Sequence, residues 1–364
     1  MYYDYLIVGS GLYGCTFANL AKKDKKKCLI IEKRKHPFGN CYTENISGIN
    51  VHTYGPHIFH TSNKKIWHYV NEFVQFNNYV NRPKVNYKGK IYSFPINLFT
   101  LSQMWGVSTP HEAQEKLEKI KISINNPKNL EEWILSQVGE EIYYTFIYGY
   151  TKKQWNTDPK NLPASIIKRL PIRLNFDDNY FNDIYQGIPI GGYSRMMNNM
   201  IDNIDIILDT DYFTYRDYWN SQAKYIIYTG PIDRFYNYRY GKLEYRSLKF
   251  EHENMSINDF QGNAVINYTD ESVPFTRIVE HKHFDKSDAS GTIVTREFPA
   301  NFEETNEPFY PINTEKNTSM YNKYRELSKL DNKFIFGGRL AQYQYLDMHQ
   351  IIGASMNKYE DINK

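Results

Sequence analysis

Apolar and polar positions follow several distinct rhythms along this chain. Tyr3 to Val8 is an almost unbroken apolar run that ends in Gly9-Ser10-Gly11-Leu12-Tyr13-Gly14, and a helical pattern follows to about Lys22. Cys28 to Glu32 (CLIIE) is a second apolar run. Short apolar runs on either side of a helix are the signature of strands covered on both faces, and parallel strands need the crossover the helix provides. The spacing therefore predicts a βαβ unit at the start. A glycine- and histidine-rich stretch runs from Phe38 to Thr61, after which Ile66, Trp67, Val70, Phe73 and Val74 recur at helical spacing. Tyr79 to Phe94 predicts a hairpin turning at Lys88-Gly89.

Farther on, residues from about 110 to 148 lack long β-branched runs and predict several helices, a polar block that forms a second domain. Leu162 to Pro171 is bracketed by prolines, which predicts a short helix or loop able to move as a unit. Alternation returns from Leu243 to Phe298 and predicts an antiparallel sheet. Phe334 to Phe336 reads as a last strand before Gly337-Gly338, and a terminal helix follows Asp347.

Composition narrows the class. At 364 residues the chain is one large domain with insertions, or two domains. Lys and Arg number 44 against 41 Asp and Glu, a balance that excludes a dedicated nucleic-acid binder with its basic stripe. Cys15, Cys28 and Cys41 make no disulfide framework and suit a reducing compartment. The first apolar run is too short for a signal peptide, and no run approaches the length of a bilayer span, so the expected location is the cytoplasm without membrane insertion. Tyrosine occurs 33 times, which leaves a lone tyrosine little weight as a site residue.

The first turn carries the clearest chemistry. Gly9 permits a tight turn, Gly11 lets a diphosphate approach the backbone, and Gly14 allows the helix to pack closely on the strand. The helix start offers unpaired N–H groups and a positive dipole end. Glu32, eighteen residues past Gly14, closes the second strand where a carboxylate accepts hydrogen bonds from ribose hydroxyls and repels a 2′-phosphate. Together these predict a dinucleotide site without NADP preference, to which Leu12 and Lys33 belong. The late Gly337-Gly338-Arg339 favours FAD over NAD by analogy with FAD proteins that return the chain to the flavin there. His281 and His283, two apart in a predicted strand, face the same way but lack an evident third ligand, so no metal site is expected.

Several blocks closely resemble the bacterial UDP-galactopyranose mutases. They are Gly39-Asn40, Tyr54 to His60 (YGPHIFH), Gly149 to Trp155 (GYTKKQW), Leu162 to Pro171 (LPASIIKRLP), Asp177 to Phe181 (DDNYF), Tyr245-Arg246-Ser247, Thr276 to His281 (TRIVEH) and Gly337 to Leu340 (GGRL). The resemblance implies an α/β fold: an FAD-binding Rossmann-like domain (1–75, 200–240, 330–364), an inserted helical domain with a mobile substrate loop (100–170), and an antiparallel sheet region (76–99, 171–199, 241–329). It implies a reaction without net redox change. Reduced FAD attacks the anomeric carbon through N5 and expels UDP, the flavin-bound sugar opens and recloses as a five-membered ring, and UDP returns. UDP-galactopyranose and UDP-galactofuranose are thereby interconverted, supplying furanose for surface polysaccharide. The resemblance further implies a homodimer and an external NAD(P)H-dependent reductant for the flavin.

Residue by residue, Arg169 and Arg277 match the arginines that grip the diphosphate, where a departing diphosphate needs fixed positive charge. His57 matches the histidine beside the flavin. Trp155 matches the uracil-stacking residue, with Phe146 and Tyr150 near the base. Tyr180, Tyr310 and Tyr345 match phosphate contacts, and Asn81, Arg246, Asn267, Glu297 and Asp347 match polar residues around the substrate. Gly39, Asn40, His60, Gly338, Arg339, Tyr345, Asp347 and Met348 complete the flavin contacts. The same chemistry on UDP-N-acetylgalactosamine or dTDP-fucose is an alternative, as is a flavin oxidoreductase of the amine oxidase type. A non-catalytic flavoprotein acting as a redox sensor or interaction module is a third reading, which the arginine pair and Trp155 disfavour.

Overall fold

The computed structural model describes residues 2–168, 170–305 and 307–364. Its first layer is a five-stranded parallel sheet. In spatial order the strands are Phe334–Phe336, Ala223–Tyr228, Tyr3–Val8, Cys28–Ile31 and Asp205–Ile207. Side chains alternate across a strand, so neighbours in the apolar runs serve opposite faces. Ile7, Ile30 and Ile227 pack under the helices Leu12–Lys23, Gly192–Met200 and Met348–Asn363. Leu6, Leu29 and Ile226 meet Tyr212, Trp219 and Phe235 on the other side. Burial on both faces is why these strands are continuously apolar.

The terminal helix is fastened to the first by specific groups. Ser355 Oγ donates to the Tyr13 carbonyl at 3.0 Å and the Tyr359 hydroxyl donates to Asp24 at 2.6 Å. Phe17 meets Tyr5 and Tyr359 edge-on, with centroids 5.1 and 5.2 Å away. The second predicted helix covers Lys64–Asn71, so Phe73 and Val74 lie past its end but still pack against the same core.

The second sheet has seven strands in the order Tyr310–Pro311, Tyr245–Met255, Thr292–Asn301, Arg277–Glu280, Val265–Tyr268, Lys84–Tyr87 and Lys90–Ser93. The predicted hairpin forms at Lys88-Gly89, but it joins the sheet through a parallel pairing of Lys84–Tyr87 with Val265–Tyr268. The sheet is thus antiparallel at every pairing except this one. A correction concerns His281 and His283. Their strand stops at Glu280 and turns into a single helical turn, Lys282–Asp285, so the two imidazoles do not share a strand face.

The helical block comprises Leu98–Trp105, Pro110–Ile120, Leu130–Ile142, a π-helical Tyr143–Tyr148 and Gly149–Trp155. Thr109 and Glu112 form a capping box that starts the second of these, satisfying two otherwise orphaned N–H groups. The helices share a core that includes Leu101, Leu117, Ile134, Val138 and Phe146. No helix among the described residues is long and apolar enough to cross a membrane.

Candidate active site

The turn after Tyr3–Val8 shows why its glycines stand where they do. Gly9 has φ +104°, and a Cβ there would fall 2.1 Å from Thr229 Oγ1. A Cβ on Gly14 would fall 2.2 Å from the Gly9 carbonyl oxygen. Gly11, by contrast, faces open space with no heavy atom within 4 Å of its virtual Cβ. Gly11 is also the N-cap of the Leu12–Lys23 helix and supplies no side-chain cap, so the helix start is left to a ligand.

Glu32 closes this cradle from within. Its Oε2 accepts from Ser10 N at 2.9 Å and Ser10 Oγ at 2.8 Å, and its Oε1 accepts from Arg34 N at 3.0 Å. Ser10 Oγ in turn accepts from Phe38 N at 2.9 Å, which brings Gly39, with φ +55°, to Gly11. An open backbone approach, an uncapped helix start and a buried acid fit a dinucleotide diphosphate and ribose. Lys33 points away from the turn, to Glu307 at 3.1 Å.

Against the second sheet, walled by its Leu248, Arg277, Glu297 and Tyr310, lies a cleft of about 110 Å³. Seven residues expected from the sequence line it: Asn40, His57, Arg277, Glu297, Tyr310, Arg339 and Tyr345. Arg277 opens its strand directly across from Glu297, in register. Its Nε lies 3.1 Å from Glu297 Oε1, an ion pair in which the N–H is not aimed at the oxygen, so neither atom gains a hydrogen bond. Glu297 is 1% exposed. Burial raises its pKa, and the Arg277 charge works against that rise. The hydroxyls of Tyr150, Tyr310 and Tyr180 lie within electrostatic reach of Arg277.

His57 sits on the same wall. Burial, followed by the positive charges of Arg339 and Arg277, lowers its pKa to about 4 although the Gly55 carbonyl opposes the shift. The ring is therefore neutral at physiological pH. With Nδ1 2.9 Å from the Gly55 carbonyl, the proton belongs on Nδ1 and Nε2 is the acceptor. The backbone N–H of His57 donates to His52 Nδ1 at 3.0 Å. Gly55 has φ +90°, and a Cβ there would press on Glu297 Oε2 at 3.2 Å. Arg339 donates from Nε to the Leu346 carbonyl at 2.7 Å and lies over the Tyr345 ring, which stacks on Tyr310 with centroids 5.7 Å apart.

The remaining expected residues surround this cleft or support it. Arg246 is buried, bonds Asn301 and donates from Nε to the Gln154 carbonyl at 3.0 Å, beside the half-buried Trp155. Asn267, on the Val265–Tyr268 strand, pairs in register with Arg277 on the next strand. The Asn81 carbonyl accepts from Tyr180 N at 2.8 Å. Phe146 is 2% exposed and packs edge-on against Tyr92 in the helical core, so its ring is not at the cleft surface. His60 is engaged by Asp183 at 2.5 Å and stacks on Phe181 at 3.7 Å. Asp347 is the N-cap of the last helix, Met348 packs on Cys41, and Gly338 has φ +86°. Arg169 lies outside the described residues.

Tyr54, Leu248 and Phe309 also line the cleft and were not singled out from sequence. Tyr54 carried a signal, its place in the block that ends in His57 and His60. Leu248 and Phe309 carried none, because an apolar residue in or beside a strand reads as core. Asp259, Glu280 and His283 come together as possible metal ligands. Glu280, however, already accepts from Phe260 N, Gln261 N and Thr292 Oγ1, and its pKa is about 2 because these donors and His283 outweigh burial. The three form a structural network in which His283 bridges the two acids.

Comparison with known proteins places this geometry. Residues 145–345 match the family model of UDP-galactopyranose mutase, and residues 7–73 match that of an NAD(P)-binding Rossmann-like domain. A dTDP-fucopyranose mutase of Escherichia coli is 43% identical, over 94% of each chain. A probable UDP-galactopyranose mutase of Klebsiella pneumoniae is 40% identical, over 98% of this chain and 94% of its own. A reduced UDP-galactopyranose mutase of solved structure shares the fold with TM-score 0.73 at 13% identity, covering 99% of this chain and 95% of its own. The glycine cradle, the Arg277–Glu297 pair and these sequence relationships agree: this chain belongs to the UDP-galactopyranose mutase family.

Proposed function

We propose that this chain is a flavin-dependent isomerase that interconverts UDP-galactopyranose and UDP-galactofuranose. The observation that carries the reading is Arg277, held against a buried carboxylate at the cleft wall that it shares with the neutral His57. The Gly9–Gly14 turn, the uncapped helix start and Glu32 would hold FAD, which when reduced would supply a nucleophile toward the sugar with no net redox change. The chain's own residues do the rest. Arg277 meets the diphosphate with a charge that is in place before substrate arrives, so it stabilises the leaving oxygen as the bond breaks. Glu297 fixes the orientation of that guanidinium. Tyr310 and Tyr345 present hydroxyls to the phosphates, and Arg339 holds Tyr345 from behind.

His57 offers an unprotonated Nε2 beside the flavin, where it accepts rather than donates a proton. Trp155 and Tyr150 read the base, and Arg169 adds a second positive charge from the Leu162–Pro171 segment. The same reading has the enzyme act as a homodimer in the cytoplasm, take electrons from an NAD(P)H-dependent partner and feed surface polysaccharide synthesis. A dTDP-fucose substrate is the second reading, favoured by the 43% identical Escherichia coli relative. Incubating dithionite-reduced protein with UDP-galactofuranose and with dTDP-fucofuranose, and separating the products by chromatography, decides between them. Conversion of neither, or equal conversion by enzyme kept fully oxidised, refutes the flavin-nucleophile reading.

A further inference from the structure

Lys153 lies between the two aromatic residues assigned to the base, on the Gly149–Trp155 helix, yet its own side chain reaches the backbone between Tyr268 and Phe275. Its Nζ is surrounded by four backbone carbonyls: Tyr268 and Asp270 at 2.8 Å, and Val273 and Phe275 at 3.0 Å. Tyr268 ends the Val265–Tyr268 strand, and the other three belong to the turn that links it to Arg277–Glu280. An ammonium has three N–H groups, so four inward-pointing oxygens make a cation cage in which one proton is shared. Burial lowers the pKa of Lys153 to about 8, against the nearby Asp270 and Glu271, which leaves the group mostly charged at neutral pH.

Two further contacts press the helical block onto the same turn. A Cβ on Gly149 would fall 2.2 Å from the Thr269 carbonyl oxygen, so only glycine permits the approach. Thr269 Oγ1 donates to the Thr145 carbonyl at 2.6 Å. The turn ends at Phe275 and Thr276, immediately before Arg277. One lysine therefore ties the helix that carries Tyr150 and Trp155 to the backbone that delivers Arg277.

We infer that Lys153 is a positioning residue, whose ammonium sets the spacing between the base-reading helix and the diphosphate-gripping arginine by filling a backbone cation cage. A nucleotide must span that spacing to touch both ends. Loosening the tie should weaken nucleotide binding more than it slows the bond-breaking step, because Arg277 keeps its partner Glu297. The inference rests on the nucleotide-sugar reading above. It adds a requirement that packing alone would not impose: the cage needs a compact ammonium whose N–H groups donate to the carbonyls, and arginine's flat fork does not meet that need.

The test uses FAD-loaded, dithionite-reduced enzyme, wild type beside Lys153→Ala and Lys153→Arg. Both variants should raise KM about ten-fold, with kcat changed less than about three-fold, and weaken UDP binding by calorimetry in proportion. In Lys153→Ala, ammonium or ethylammonium chloride at tens of millimolar should recover most of the lost UDP affinity, while sodium chloride of equal ionic strength should not. An unchanged KM overturns the inference, as does a raised KM that ammonium leaves untouched or that sodium restores equally well. A wild-type enzyme inactive on every nucleotide sugar sinks the functional reading itself, whereas active wild type with an unaffected variant sinks only the role of Lys153. If neither variant retains FAD, hydrogen exchange of the wild type decides. Amides of Thr269, Val273 and Thr276 exchanging as slowly as those of the Gly149–Trp155 helix support the tie, and free exchange across the turn overturns it.

Discussion

Replacing Arg277 by alanine removes half of an ion pair whose other half cannot reach water. Glu297 is 1% exposed, and burial already pushes its pKa up against the arginine's pull. With the arginine gone, the cheapest outcome is for the carboxyl to take up a proton. Relative to an unfolded-chain value near 4.5, holding it protonated at pH 7 costs about 3 kcal/mol, within the range of about 3–5 kcal/mol for breaking a buried pair from one side. The sign follows from linkage. A group whose folded pKa is raised is stabilising only below its unfolded pKa, so the variant's deficit grows with pH by about 1.4 kcal/mol per unit. Urea unfolding of Arg277→Ala should therefore show a loss of about 3 kcal/mol at pH 7 that shrinks to about 1.4 kcal/mol at pH 5.5. The double variant Arg277→Met with Glu297→Gln removes both charges and should regain most of the stability. Neither variant should regain turnover, which the missing diphosphate clamp lowers by about two to three decades. An equal loss at both pH values, or a double variant with near-normal turnover, would refute the reasoning.

Other outcomes are expected from the same structure. Trp155→Ala should weaken UDP binding by about 1–3 kcal/mol in calorimetry without changing FAD content; unaltered affinity returns the indole to helix packing. Gly11→Val should fold normally yet lose FAD, since open space faces Gly11, whereas Gly14→Ala should lose thermal stability because its Cβ would fall 2.2 Å from the Gly9 carbonyl oxygen. The two variants are separated by circular dichroism melting and flavin absorbance. Burial lowers the pKa of His57 to about 4 and of His281 to about 3, so between pH 6.5 and 4 the unfolded chain binds more protons than the folded one. Stability should fall by roughly 2 kcal/mol per histidine from pH 7 to pH 5, and a flat urea midpoint across that range would contradict their neutral burial.

The first turn was legible because everything that defines it is local. Three glycines, a strand on either side and an acid at the second strand's end lie within about thirty residues, and each has the environment its spacing demanded. The cleft was legible only in part, because its chemistry depends on register. Arg277 and Glu297 are twenty residues apart, and only the pairing of their strands makes them partners. The predicted strand through His283 failed for a related reason. Glu280 collects four donors where the chain leaves the sheet, and those bonds favour a helical turn over further extension. The parallel pairing of Lys84–Tyr87 with Val265–Tyr268 was out of reach too, since a hairpin's own pattern says nothing about which sheet edge receives it.

Tyrosines illustrate where sequence reasoning needs geometry most. With 33 in the chain, none earns a role by identity, and resemblance alone nominated Tyr180, Tyr310 and Tyr345. The structure separates them by what they touch: Tyr310 and Tyr345 stack at the cleft under Arg339, while Tyr180 packs against the helical core within electrostatic reach of Arg277. Lys153 is the opposite case. In sequence it is one of two adjacent lysines ahead of a tryptophan, and a solvated pair is the ordinary reading of such residues. Its neighbour Lys152 does reach an exposed carboxylate, Glu271, at 3.2 Å. Only the four carbonyls around Lys153 distinguish the two, and carbonyls leave no mark in a sequence. The features that fix cofactor binding in this chain are written in residue types, but those that set the spacing of its substrate grip are written in backbone.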